Sequence, residues 1–426
     1  MMDARQQRQT DLIAAVGIMS SVGASGQANA AQYLTRRSYV RSMLRRFASL
    51  GHSIEGRFLM ATPKQTDAAA SSGWRDEQNQ FGDIVFLQMN ESRFMCAIKP
   101  LLWYQYCLKA FPTARFIAIS DDDAYLQLDH LEADLRSLQD DAAERLILWG
   151  LVMWYGAYDN VTMVTHETWG GWSYNDGGAV KSRRRMEECR DYRWIAQAGR
   201  RLGTREPSRR RRSRFARSKG ETRDPCRRLT SAAKATIDRA GLSDRSPWPV
   251  VNGPLFAVSR RLAQLVVENT IPRQYLKALH QTERVRNALS RPGGPRKSNF
   301  GCWPVADSIF GLWITQISET LNIGIELVNS PFMVQHHPWP ATVHGAFSNS
   351  SIVLHGLKKE KNQRKFREVV MQRGMGAFVP FRRHCGNCAS LGWSTWGASV
   401  HSRLWTCCGC DATASKRDCD ERMSQV

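Results

Sequence analysis

The chain has 426 residues and a mass of 48.3 kDa, which suggests two or three domains. Its 42% hydrophobic and 9% aromatic content excludes wholesale disorder and allows a large buried core. No stretch approaches the roughly 18 uninterrupted apolar residues that span a bilayer, and the charges of the opening MMDARQQRQTDLIAAVGIMSS fall where a signal peptide needs its apolar region. The expectation is a soluble polypeptide with no signal or transmembrane segment. The formal charge of +21 first suggests nucleic acid, but it is concentrated in one segment, so a nucleic-acid partner is not expected.

The first 130 residues read as alternating strands and helices. Asp11 to Ser21 is a short apolar run ending in small residues, as a buried parallel strand does at its loop. Tyr33 to Leu50 carries Tyr33, Val40, Leu44 and Phe47 with arginines between them, which suits an amphipathic helix. Arg57 to Ala61 and Asp83 to Leu87 are short strands. Phe94 to Ala110 is a helix, and Arg115 to Ser120 is a fourth strand that runs directly into Asp121, Asp122 and Asp123. Alternation at this spacing predicts an open, mainly parallel sheet with helices on both faces.

Between Lys181 and Arg245 there are 22 Lys/Arg against 8 Asp/Glu, a net of +14, which leaves only +7 for the remaining 361 residues. The segment has few of the interleaved aromatic and periodic apolar residues of a folded basic groove. It reads as a solvated, mostly disordered insertion; a tether to an anionic partner and a mistranslated stretch are the other accounts. Order resumes at Trp248, where the run to Val267 reads as a Gly-containing turn, a short strand and a helix. Asp307 to Ile317 is a helix opening with an acid, Ile323 to Val328 a strand, and Ser351 to Leu354 an extended piece leading into His355.

Six of the eleven cysteines cluster at the end of the chain. Cys385, Cys388, Cys407 and Cys410 form two C-x2-C pairs at a spacing that suits a tetrahedral structural Zn2+. Disulfides and an unstructured tail stay open as alternatives. A closed four-thiolate site keeps no free position, so no catalysis is expected there.

Three adjacent carboxylates at a strand end repel one another unless a cation sits among them. Asp121 and Asp123 alternate, so both can face a hard metal carrying a diphosphate, with Asp122 left for structural hydrogen bonds. Oxygen ligands of this kind suit Mg2+ or Mn2+. Ligands of open α/β sheets bind beyond the carboxyl ends of the strands, which is where the triplet lies. On a plainer account, an acidic run is a solvated loop.

Phe81-Gly82-Asp83-Ile84, then Lys99, Trp103 and Phe116, then Asp121-Asp122-Asp123, fall in the order and at distances that resemble the core of the beta-1,3-galactosyltransferase family (glycosyltransferase family thirty-one, with its N-acetylglucosaminyl- and Fringe-type members). Thr35-Arg36-Arg37 with Arg41 resembles that family's early arginine helix, without the usual Thr-Trp after it. Val251-Asn252-Gly253 resembles its glycine-rich strand, without the usual Cys-Ser-Gly. Asp307-Ser308-Ile309-Phe310-Gly311 resembles its Asp-Val-Tyr-x-Gly, with Ala306 replacing an acid. Ile352-Val353-Leu354-His355 resembles its late strand. The matches span about residues 11 to 361.

The resemblance implies a GT-A-like, Rossmann-type fold. Residues 8–180 would be the nucleotide-sugar-binding half of the catalytic domain and 247–361 the acceptor-side half. The basic insertion would occupy 181–246 and a Cys-rich tail 362–426. It also implies inverting transfer of a hexose or N-acetylhexosamine from a UDP-sugar to a glycan or glycoprotein hydroxyl, leaving a beta linkage. In that reading Asp307 is the catalytic base. Asp121, Asp123 and His355 hold Mn2+ or Mg2+, and Arg37, Arg41, Asp83, Lys99, Asp121 and Asp122 serve the nucleotide. The plainer accounts are a helix-capping acid for Asp307, an ordinary partly buried histidine for His355, and helix-pairing or surface roles for Arg37, Arg41 and Lys99. Trp154, Tyr155, Tyr158, Trp169 and Trp172 would either stack on acceptor sugars or pack in the core.

Golgi residence follows from the resemblance, although family members reach it through an anchor absent from this chain. A degenerate fold acting as a binding or chaperone subunit, and a polyanion binder built on the arginine-rich segment, are the competing functions.

Overall fold

The computed structural model describes residues 12–21, 28–49, 53–62, 68–89, 98–139, 143–158, 161–168, 248–274, 276, 306–330, 333–334, 351–355, 357, 363–364, 384–387 and 405–409. The first half runs β1 (Ala14–Met19), α1 (Ala28–Ala48), β2 (Ile54–Ala61), α2 (Ala68–Phe81), β3 (Ile84–Leu87), α3 (Ile98–Ala110), β4 (Phe116–Asp121), β5 (Tyr125–Leu126), α4 (Leu128–Arg136), β6 (Ile147–Tyr158) and β7 (Val161–Thr168). Then come β8 (Trp248–Ser259), α5 (Arg260–Glu268), α6 (Ala306–Leu321), β9 (Ile325–Asn329), β10 (Met333–Val334), β11 (Val353–Leu354), β12 (His384–Asn387) and β13 (Trp405–Gly409).

Among the described residues ten strands form the main sheet, in the order β12-β13-β9-β6-β8-β4-β1-β2-β3 with β7 paired to β6 outside that path. The run β3-β2-β1-β4 is parallel throughout, and β6-β9-β13 is parallel as well. Between these blocks β8 is antiparallel to both neighbours. The result is a mixed, mainly parallel Rossmann-like α/β sheet.

Alternate residues of each central strand feed two separate cores, because side chains along a strand point to opposite faces. Val16, Ile18, Phe116, Ala118, Leu255 and Ala257 join the face covered by α1 and α4. Ala15, Ile117, Ile119, Phe256 and Val258 join the face covered by α3, α5 and α6. Burial on both sides is why these strands read as continuous apolar runs rather than alternating ones.

Two glycines are required by position. A Cβ on Gly17 would lie 2.6 Å from Leu59 and 2.7 Å from the Trp103 indole, so only glycine lets α3 press this closely on β1. Trp103 is fully buried and donates its Nε1–H to the Ala118 carbonyl at 2.9 Å. Gly82 has φ +64 and follows the last residue of α2, where its N–H bonds Gln78 O at 2.8 Å; a left-handed residue ends the helix and turns the chain into β3.

The Gly-containing turn expected near Asn252 is instead part of one continuous strand. Gly150 pairs with Phe256 and the next residue, Leu151, with Asn252, so the intervening residues of β8 form a bulge beside the end of β4. Pro254 cannot donate to a ladder, and a bulge accommodates it. The aromatic residues at 154, 155 and 158 lie within β6, paired with β7 and β8; Trp169 and Trp172 lie outside the described residues, as does the basic segment at 181–246.

Candidate functional site

Strand β1 is flanked by β2 on one side and β4 on the other, so the sheet reverses its order of progression between β1 and β4. Crevices at such switch points, outside the carboxyl ends of the strands, are where open α/β sheets bind ligands. Met19, the last residue of β1, pairs with Asp121, the last residue of β4. Ser20 and the aspartate triplet therefore leave the sheet side by side.

His355 reaches the same point through a small second sheet. β11 pairs antiparallel with β5, immediately after the triplet, with Leu354 opposite Tyr125. Gln127 donates its N–H to Ile352 O at 2.8 Å, and Leu357 donates to Asp123 O at 2.9 Å. This ladder sets the His355 Nε2 3.0 Å from Asp123 Oδ1 and 3.3 Å from Asp121 Oδ2. Ligand atoms of the three residues all lie within 4.8 Å of one another. Asp123 is nearly buried, whereas the Asp121 side chain is 34% exposed, so the cluster is open on one side. Burial pushes the His355 pKa down, but hydrogen bonds and charge from Asp121 and Asp123 outweigh it and bring the value up to about 10. At neutral pH the metal-free imidazole is thus an imidazolium held between two carboxylates.

Asp122 faces the other way and is engaged at both oxygens. Its Oδ2 accepts from the Ser20 hydroxyl at 2.8 Å and its Oδ1 from Arg36 Nη1 at 3.0 Å. Burial raises its pKa to about 6 against the opposing pull of Ser20 and Arg36, with Asp123 adding to the rise. The division of the triplet follows directly: Asp121 and Asp123 with His355, Asp122 with Ser20 and Arg36.

The basic residues expected near the nucleotide are committed to buried partners. Arg37 holds Glu77 through Nε and Nη2 at 2.8 and 2.7 Å, and its Nη1 donates to Ser20 Oγ at 3.2 Å and Ser21 O at 2.8 Å. Arg41 grips Asp83 through Nε and Nη2 at 2.7 and 2.8 Å, contacts Glu77 through Nη1 at 2.6 Å, and lies over the Phe58 and Phe81 rings. Lys99 donates to Ser20 O at 2.7 Å. Burial works to raise the Glu77 pKa, but Arg37 and Arg41 together hold it below the usual carboxylate range. Arg37, Arg41, Lys99 and Asp83 therefore build the floor of the site. Among the described residues, the guanidinium with a buried nitrogen that lacks both a hydrogen bond and an ion-pair contact is that of Arg36, at Nε.

Asp307 is the second residue of α6. Phe310, one turn further on, packs against Phe256 and Tyr104, and Phe256 pairs with Ile119 of β4. Through Phe310, α6 is in this way tied to the strand that carries the triplet.

In the tail, β12 and β13 pair antiparallel so that Cys385 faces Cys408 and Cys407 faces Gly386. Cys385 and Cys408 form a disulfide. Cys385 is therefore no thiolate for zinc, and the set Cys385, Cys388, Cys407 and Cys410 gives way at that position to the disulfide alternative. Strand register decided it, by placing Cys408 rather than Cys407 opposite Cys385. Cys388 and Cys410 lie outside the described residues.

Two carboxylates and an imidazole on an open face fit a divalent cation such as Mn2+. Ser20, Arg36 and Glu77 were not anticipated from the sequence as site residues. Only Arg36 carried a signal, as part of Thr35-Arg36-Arg37.

Residues 35–166 match the Galactosyltransferase family model, which covers the arginine helix, the Phe-Gly-Asp-Ile segment and the aspartate triplet. The match supports glycosyltransferase activity as a class. No curated protein matches the chain. Among solved structures, the crystal structure of mannose-1-phosphate geranyltransferase from Thermus thermophilus is similar at 12% identity and a TM-score of 0.27, over 64% of each chain. The chain thus spans less than two thirds of that protein, and a likeness this weak carries nothing further. Among the described residues no helix is long and apolar enough to cross a membrane.

Proposed function

We propose that the protein is an inverting, metal-dependent glycosyltransferase. It moves a hexose or N-acetylhexosamine from a UDP-sugar to a hydroxyl of a glycan or glycoprotein and leaves a beta linkage, of the beta-1,3 type, in the Golgi lumen. The observation that carries the reading is the meeting of Asp121, Asp123 and His355 at the carboxyl end of β4, beside the switch point of the sheet.

Asp121, Asp123 and His355 would hold Mn2+ or Mg2+, which when bound supplies Lewis-acid neutralisation of the charge on the departing diphosphate. Asp122 stays out of the ligand set because Ser20 and Arg36 occupy its two oxygens. Arg36, 12% exposed and anchored on Asp122 beside the cluster, would place a positive charge near the diphosphate. Asp307 takes the proton of the acceptor hydroxyl, as the family resemblance implies. The new bond from the acceptor oxygen to the anomeric carbon forms as the bond from that carbon to the diphosphate oxygen breaks. The electron pair leaves on UDP, so no protein acid is needed for the leaving group. General-base assistance of this kind is typically worth about 10²–10⁴ in rate.

UDP release, measured with Mn2+ and a panel of glycan acceptors, tests the reading. Wild type should release UDP only when acceptor is present, and Asp307→Asn should lose that release while still binding UDP. Equal turnover by Asp307→Asn and wild type would end the base assignment; absence of acceptor-dependent release from wild type across the panel would instead favour a catalytically degenerate binding subunit.

A further inference from the structure

Ser20 occupies a position that nothing in its neighbourhood leaves to chance. Its N–H bonds Leu59 O at 3.1 Å and its carbonyl accepts from Lys99 Nζ at 2.7 Å. Its hydroxyl donates to Asp122 Oδ2 at 2.8 Å, and the Ser20 Oγ itself accepts from Arg37 Nη1 at 3.2 Å. Arg37 in turn is fixed by the Glu77 carboxylate through two further bonds. Ser20, Arg37, Glu77 and Asp122 are each at most 5% exposed. Charged groups this deep are costly unless every partner is present. An unbroken chain of contacts therefore runs from α2, through α1 and the end of β1, to the middle residue of the triplet.

The geometry points to Ser20, Arg37 and Glu77 as positioning residues for the divalent-cation site. None of them belongs to the Asp121, Asp123 and His355 cluster. They act through Asp122: its two oxygens are pinned by Ser20 and Arg36, so its backbone is pinned, and Asp121 and Asp123 are its immediate neighbours on either side. The separation of the two outward carboxylates is set by an inward one. Partners behind metal ligands are typically worth about 10–100-fold in metal affinity. The inference rests on the metal-site reading proposed above.

Ser20→Ala is the sharpest probe, because it removes one oxygen from the middle of the chain and leaves every charge in place. Titration of the full-length protein with MnCl2, by calorimetry or by electron paramagnetic resonance of free Mn2+, gives the affinity; thermal unfolding of the same samples gives the fold's response. The expected result is Mn2+ binding weakened about tenfold or more in Ser20→Ala with its unfolding midpoint close to that of wild type. Asp122→Asn keeps the side chain's shape while removing its charge and one of the two acceptor oxygens that Ser20 and Arg36 engage, and it should show the same loss; it stands in if Ser20→Ala does not fold. Wild type that binds Mn2+ alongside a variant within twofold of it would overturn the positioning role and leave the metal site intact. Wild type that does not bind Mn2+ would overturn the metal site itself and the positioning role with it.

Discussion

Replacing Glu77 by Gln removes one negative charge from beneath two guanidinium groups without changing the shape of the side chain. In the native protein Glu77 is 5% exposed and faces Arg37 and Arg41, which are 3% and 4% exposed. Arg41 keeps Asp83 after the substitution, but the two bonds from Arg37 to Glu77 are to the only carboxylate described for it. Breaking a buried ion pair from one side costs about 3–5 kcal/mol, because the remaining charge stays in a poorly solvated place. An exposed pair would cost only about 0–1 kcal/mol. Denaturant unfolding of both proteins at neutral pH, followed by circular dichroism and compared at equal slope, measures the difference. The folded-state pKa of Glu77 is depressed, so its contribution is present above the unfolded value of 4.5 and is lost as the pH falls through the lower folded value. The gap between the two proteins should accordingly shrink in acid. A gap under about 1 kcal/mol at neutral pH, or one that widens on acidification, would refute the reasoning.

Two further outcomes are expected. His355 is protonated up to about pH 10 in the metal-free protein, and a ligating imidazole must be neutral. Mn2+ binding should therefore release a proton and tighten about tenfold per pH unit between about pH 6.5 and 8.5; calorimetry in buffers of different ionisation enthalpy reads the proton, and a flat profile would remove His355 from the ligand set. Cys385→Ser opens a loop closed across 23 residues of sequence separation, which should lower stability by about 3 kcal/mol under oxidising conditions and by nothing in reductant. Identical unfolding of variant and wild type without reductant would show that the bond does not form.

The elements legible in the sequence were those whose pattern is local. β1, β3, β4, β9 and the second half of β2 are short, largely apolar and largely buried runs, and the sequence pattern marks each to within a few residues. α2 is not legible in the sequence because AAASSGWRDEQNQF has only two large apolar residues, Trp74 and Phe81, and no helical stripe. β6 is obscure for the opposite reason: its aromatic run gives no period to choose between packing and ligand stacking. Asn252-Gly253-Pro254 carries strong turn chemistry, and the sheet overrode it by pairing both ends of the segment and letting the middle bulge.

The site divides in the same way. Asp121, Asp122 and Asp123 announced themselves by abutting a strand, and alternation assigned Asp122 its inward role. His355 was visible only through family resemblance, since nothing local to Ser351–Leu354 says that it pairs with Tyr125–Leu126. Arg37, Arg41, Lys99 and Asp83 look in one dimension like groups for a phosphate. In three dimensions Arg41 answers Asp83, Arg37 answers Glu77 and Lys99 the Ser20 carbonyl, because α1 and α3 turn these side chains inward onto α2, the start of β3 and the end of β1. Charge complementarity across a fold is set by packing, and no periodicity records it.

The central claim is that a divalent cation is gripped at the tip of β4 by groups that the fold, not the sequence order, brings together. Equilibrium binding of UDP to the full-length protein, with and without Mn2+, in wild type and in Asp123→Ala, tests it most directly. The account predicts UDP binding that requires Mn2+ in wild type and is lost in Asp123→Ala while the variant's unfolding transition persists. UDP binding that is equally tight without the metal, or unchanged by the substitution, would contradict it.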